Sequence, residues 1–109
     1  TGVQTCALPI CCSRVALTFG AQGAFVQVGV AQAQGAAPQV QVLDTVGAGD
    51  TFWGNCLADW VLHGSVDHPE VAEQRVATTL QRALEAAAIN CSRKGCQPPT
   101  ADELSAGLR

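Results

Sequence analysis

The sequence predicts an α/β fold, and three stretches carry that prediction. Residues 14–30 alternate like two short strands around a glycine turn. Residues 40–63 read as strand, glycine loop and helix, and residues 76–91 as a second amphipathic helix.

Arg14 to Phe19 (RVALTF) places Val15, Leu17 and Phe19 on one face, the period of a strand. The segment Gly20-Ala-Gln-Gly23 turns the chain. Ala24 to Val30 (AFVQVGV), β-branched and aromatic, returns as the second strand of a hairpin. Ala31 to Gln39 shows no period and reads as a loop, and Val40 to Leu43 (VQVL) as another short strand. Asp44 to Asp50 (DTVGAGD) is a glycine-rich turn delivered by that strand. From Thr51 to His63, Phe52, Cys56 with Leu57, and Trp60 with Val61 recur at helical spacing, so Phe52, Trp53 and Trp60 are expected in a core. Asn55 is expected on the helix flank. Gly64 stops the helix. In the second helix Val76, Leu80, Leu84, Ala88 and Cys91 recur at threes and fours while Glu73, Gln81 and Glu85 stay polar, and the alanines Ala86 to Ala88 permit close packing. Ser92 to Pro99 is a turn-rich loop. Thr100 with Glu103 forms a capping box for a last short helix.

With 109 residues, 48% hydrophobic and 14% charged, and a formal charge of −3, the chain has the makings of a core. That composition excludes a disordered or nucleic-acid-binding tail. No apolar run reaches the ~18 residues of a membrane span, and no secretory signal is evident, so a cytoplasmic protein without nucleic-acid or membrane partners is expected. The six cysteines lack a repeated spacing and read as reduced thiols. His63 and His68 lack a third ligand for zinc, and Cys91 with Cys96 lacks a second pair. Residues 1–10, TGVQTCALPI, resemble a translated sequencing adapter codon for codon, so they are set aside as non-native and residues 11–109 are taken as the domain, a piece of a longer protein.

A glycine-rich turn that opens a helix aims several unpaired N–H groups at one spot, and the helix dipole adds to their pull on an anion. Gly47, Ala48 and Gly49 leave room for phosphate oxygens there. By itself the loop is compatible with two roles for Asp50: a carboxylate that merely complements the dipole, or a general base for a hydroxyl nucleophile. Neither GxxxxGK[ST] nor GxGxxG is present.

The segment VLDTVGAGDTFWG, Val42 to Gly54, resembles the second signature of the ribokinase/PfkB-like sugar kinases, with Asp44, Thr45, Val46, Gly47, Ala48, Gly49 and Asp50 in order. TFGAQG, Thr18 to Gly23, is similar to that family's nucleotide-contacting turn. INCSRKGCQPPT, Ile89 to Thr100, looks like the closing segment of the bacterial fructokinase branch. The resemblance implies the C-terminal portion of a three-layer α/β/α ribokinase-like domain, incomplete, from an ATP-dependent kinase acting on a sugar, fructose by the tail. It implies Asp50 as base and Gly47, Ala48 and Gly49 as anion hole. Thr18, Gly20, Gly23, Gly49 and Asn90 would lie along the nucleotide, with Mg2+ accompanying ATP. Asp44 and the Val46 carbonyl, with carbonyls of residues 90–95, would hold a monovalent cation, K+, although Pro99 stands at or beside the place of a hydroxyl ligand and has none. Arg93 and Lys94 are expected as solvated charges. The sugar-gripping strands implied by the family lie outside this sequence, so the chain alone is expected not to phosphorylate fructose. The resemblance allows a homodimer. A non-catalytic anion-binding module is the alternative.

Overall fold

The two alternating segments at the start pair as expected. In this computed structural model, which describes residues 14–29, 31–62 and 73–106, β1 (Arg14–Thr18) runs antiparallel to β2 (Ala24–Val28) with Ala16 opposite Val26. One 3-10 turn, Gly20–Gln22, connects them, and Phe19 N–H closes it on the Gly23 carbonyl at 2.8 Å. Gly23 has φ +112°, and a Cβ there would overlap the Gly35 carbonyl, so glycine alone suits the corner.

The expected loop after residue 30 is instead a third strand. β3 (Ala31–Gly35) pairs antiparallel with β2, Val28 opposite Ala31 and Ala24 opposite Gly35, giving the sheet order β1-β2-β3. Its AQAQG sequence does alternate, but with alanine as the apolar member, a weak strand signal. Pairing along β2 and cover from a helix supply what propensity does not. The reverse correction applies to residues 40–43. They join no ladder among the described residues, and Val42 and Leu43 are exposed. The chain there is held at its end, where the Leu43 and Asp44 N–H groups both donate to the Cys91 carbonyl at 2.8 and 3.2 Å.

Helix α1 (Ala48–Leu62) starts within the glycine loop, earlier than Thr51. Helix α2 (Glu73–Cys91) follows, then the short α3 (Ala101–Ala106). One sheet face, bearing Ala24, Val26, Val28 and Ala31, meets Phe52, Cys56 and Trp60 of α1 and Val76, Leu80, Ala83 and Leu84 of α2. The small residues on the strands let α2 lie close. Sheet plus helices make two layers among the described residues.

Helix α1 buries Phe52, Cys56, Asp59 and Trp60, so the adjacent row of Trp53, Leu57 and Val61 faces outward. Trp53 was expected in the core; it is 44% exposed and meets Trp60 edge-on, with ring centroids 5.8 Å apart. Buried Asp59 ties the helices together by accepting from Arg75 at 2.5 Å and from the Thr79 hydroxyl. Burial, with the Asp59 charge nearby, pushes the Cys56 thiol up to about 12. Asn55 lies on the helix flank as expected, its side chain donating to the Thr51 carbonyl at 2.9 Å. At the start of α3 the capping box forms, Thr100 N–H to Glu103 at 2.9 Å and Glu103 N–H to the Thr100 hydroxyl at 3.2 Å. The Thr100 backbone N–H, then Arg93, holds the Glu103 carboxyl below its usual range.

Cys56, Cys91 and Cys96 are free thiols. His63, His68 and residues 1–13 lie outside the described residues. Among the described residues no group of three His, Cys, Asp or Glu could hold a metal ion, and no helix is long and apolar enough to cross a membrane.

Candidate active site

The glycine loop is held by the last turn of α2 and by the loop that follows it. Asp44 makes an Asx turn, Oδ1 accepting from Val46 N–H at 3.0 Å, while Oδ2 accepts from Gly95 N–H at 3.1 Å. Asn90 is fully buried. Its Nδ2 donates to the Val46 carbonyl and its Oδ1 accepts from Gln97 N–H, both at 2.8 Å. Two of these four bonds, Gly95 to Asp44 and Asn90 to Val46, lash residues 44–46 to residues 90–97, while the other two fix each segment internally and the buried Asn90 amide has both its donor and its acceptor satisfied. Gly47 then turns the chain at φ +79°. A Cβ on it would overlap Cys96 Sγ.

Beyond this knot the helix opens. Ala48 N–H bonds to the Thr45 carbonyl at 3.2 Å and Thr51 N–H to the Gly47 carbonyl at 2.9 Å, while no backbone carbonyl among the described residues takes the N–H of Gly49 or Asp50. Asn90 occupies the Val46 carbonyl that a regular helix would offer Asp50. Gly49 is exposed, and a Cβ there would meet open space. Two unpaired amides at a helix N-terminus form an anion site.

A cleft of about 340 Å³ brings the separate segments together. Thr18, Gly20 and Gly23 of the β1–β2 turn line it along with Thr45, Ala48 and Gly49 of the loop. Much of its lining is apolar, from Ala37, Pro38, Val40 and Val42 of the segment after β3 and from Leu84, Ala87, Ala88 and Cys91 of α2. A smaller hollow of about 240 Å³, lined also by Ala16 and Trp53, shares Thr18, Gly49 and Phe52 with the cleft. Apolar walls beside the unpaired Gly49 amide suit a ligand with a flat apolar ring and a phosphate tail.

Other expected site residues sit elsewhere. Gly47 lies beneath the loop and not in the cleft lining, where its part is conformational. Asp50 is exposed in the first turn of α1 and lines neither hollow. Asn90, Asp44 and the Val46 carbonyl form the knot, so the Asp44 and Val46 oxygens expected to face a cation already accept hydrogen bonds within the chain. Arg93 is not a free charge: it pairs with Glu103 at 2.7 Å and donates to the Gln97 carbonyl at 3.1 Å, whereas Lys94 is exposed. Burial and the Asp44 charge raise the Cys91 thiol above its ordinary value. Sequence reasoning missed the wall at residues 37–42 and the Cys96 contact. The run Ala86 to Ala88, noted for close packing, was the available sign of a wall on α2, and a lone asparagine closing AAAIN was a sign of a buried amide.

The chain matches the pfkB family carbohydrate kinase over residues 7–103. It belongs to that family. No curated protein sequence matches the chain. Among solved structures, a fructokinase double mutant from Vibrio cholerae O395, in its fructose, ADP and potassium ion bound form, is 25% identical with TM-score 0.76, covering 99% of this chain and 34% of that one. An aminoimidazole riboside kinase from Salmonella enterica is 26% identical with TM-score 0.71, covering 92% of this chain and 32% of that one. Ribokinase from Thermotoga maritima is 25% identical with TM-score 0.63, covering 86% and 29%. This pfkB-family chain therefore spans about a third of the length of the structures it matches, and its α/β fold is part of a ribokinase-like domain.

Proposed function

We propose that this chain is the nucleotide-binding and proton-accepting portion of a kinase that moves the γ-phosphoryl group of ATP to a sugar hydroxyl, with fructose as acceptor. One observation carries the reading: the Thr18–Gly23 turn and the Thr45–Gly49 loop, remote in sequence, line one cleft, and Gly49 in that lining has an unpaired amide. The apolar walls accept the base, and Gly49 leaves the amides open to the phosphates. Asp50, exposed beside them, takes the hydroxyl proton as the sugar oxygen attacks phosphorus and the bond to ADP breaks. The amides of Gly49 and Asp50 stabilise the charge on the moving phosphoryl group. Mg2+ would enter on the triphosphate oxygens, since the described residues offer no cage of their own. Fructose as acceptor draws support from the Ile89–Thr100 segment and from the likeness to the fructose-bound Vibrio enzyme.

The test is Asp50→Asn in the full-length gene product. Turnover is expected to fall by about 10²- to 10⁴-fold with ATP binding retained. Unchanged turnover would remove the base assignment, and binding without turnover in the parent would favour a non-catalytic anion module. A panel of fructose, ribose and nucleosides compared by kcat/KM decides the acceptor.

A further inference from the structure

We propose that Asn90 is a positioning residue that does in this chain the work of a monovalent cation, so that phosphoryl transfer needs no potassium. The inference rests on the kinase reading above for its catalytic consequence and on the knot beneath the loop for its geometry.

A cation bound under an anion loop draws carbonyl and carboxylate oxygens from two segments toward one point. Here that junction is closed by hydrogen bonds instead. The Val46 carbonyl is held by Asn90 Nδ2 at 2.8 Å, and the two oxygens of Asp44 accept the N–H groups of Val46 and Gly95. Each of these oxygens thus already accepts an N–H group, which takes up one of its lone pairs and weakens its pull on an approaching cation. Pro99 adds no hydroxyl to the set. The orientation of the Asn90 amide follows from its partners, because the Val46 carbonyl requires a donor and Gln97 N–H an acceptor. The amide therefore spans the same two segments with one donor and one acceptor, and it is fully buried, so neither bond is lost to water. It also withdraws the Val46 carbonyl from the α1 ladder, which leaves the Asp50 amide free for the phosphoryl group.

Asn90→Asp separates this role from plain packing. The carboxylate can still accept from Gln97 N–H, but it sets an oxygen against the Val46 carbonyl, and a cation between them would relieve the repulsion. The full-length gene product is assayed with ATP and fructose in potassium or tetramethylammonium buffers, and its melting temperature is followed across the same series. The wild type is expected to change kcat by less than about twofold and to melt at the same temperature in both. Asn90→Asp is expected to lose about 100-fold in kcat in tetramethylammonium and to recover activity and melting temperature with potassium. Strong potassium activation of the wild type, a potassium-dependent rise in its melting temperature, or an Asn90→Asp protein indifferent to potassium in both readouts would each overturn the proposal. If that variant does not fold, the wild-type series decides alone. Absence of turnover by the wild type in either buffer counts against the kinase reading, while the melting series still judges Asn90.

Discussion

The two glycines of the GAG turn face opposite surroundings. Gly47 is on the packed side: positive φ, Cys96 Sγ where a side chain would go, and Asn90, Asp44 and Gly95 knotted around it. Gly49 is on the open side, inside the first turn of α1, with nothing near the place of a Cβ. One glycine is demanded by the chain's own conformation and the other only by what must approach it. The same motif therefore contains a structural requirement and a binding requirement, and the two are separable by experiment.

The largest effect belongs to the open side. Asp50→Asn, which lowers turnover as above, is expected to cost only about 0.3 to 1 kcal/mol of stability, because the exposed carboxylate packs against nothing in either hollow and gives up only its pairing with the α1 dipole. A large loss of stability would erase the distinction between the two sides. Next comes Gly47→Ala, expected to destabilise the protein by about 2 to 4 kcal/mol from left-handed strain plus overlap with Cys96. Chemical denaturation measures it, and the double variant with Cys96→Gly should recover roughly half, the steric part. No recovery would mean that Cys96 does not fill that space.

Gly49→Ala should do the opposite to stability. A helical glycine replaced by alanine in open space gains about 0.4 to 1 kcal/mol. The added methyl group stands where phosphate oxygens would approach, so kcat/KM for ATP in the full-length product is expected to fall at least about tenfold. A variant that is both more stable and fully active would place the phosphate elsewhere. The smallest effect, absent at neutral pH, concerns the core behind the loop. Cys56 keeps its proton in the folded state up to about 12 against 9.0 for an ordinary thiol. The unfolded chain thus ionises first, so stability is intact below pH 9 and declines as pH rises toward 12, at about 1.4 kcal/mol per pH unit. Comparing the alkaline limbs of wild type and Cys56→Ala isolates that slope, and identical limbs would contradict the burial of the thiol.

Much of the fold was legible where periodicity was strong. The hairpin, the helix carrying Val76, Leu80 and Leu84, and the Thr100–Glu103 capping box follow from local pattern. β3 was not legible, because alanine and glutamine alternate without the β-branched bulk that marks a strand. Val40 to Leu43 has that bulk but no neighbour to pair with among the described residues. In α1 both apolar rows were plausible core, and only packing against the sheet and α2 selects Phe52, Cys56 and Trp60 over Trp53, Leu57 and Val61.

Within the site, the residue order Asp44 to Asp50 determines a turn and a helix start, since these depend on backbone conformation and the nearest neighbours in sequence, whereas the free Asp50 amide also depends on Asn90 taking the Val46 carbonyl. The chain's own letters also determine family membership. Tertiary structure alone decides that Thr18, Gly20 and Gly23 face Ala48 and Gly49 across one cleft, and that Asn90 and Cys96 sit under Gly47. Those relations join segments far apart along the chain, and no local propensity encodes a distance that packing of the sheet against two helices sets.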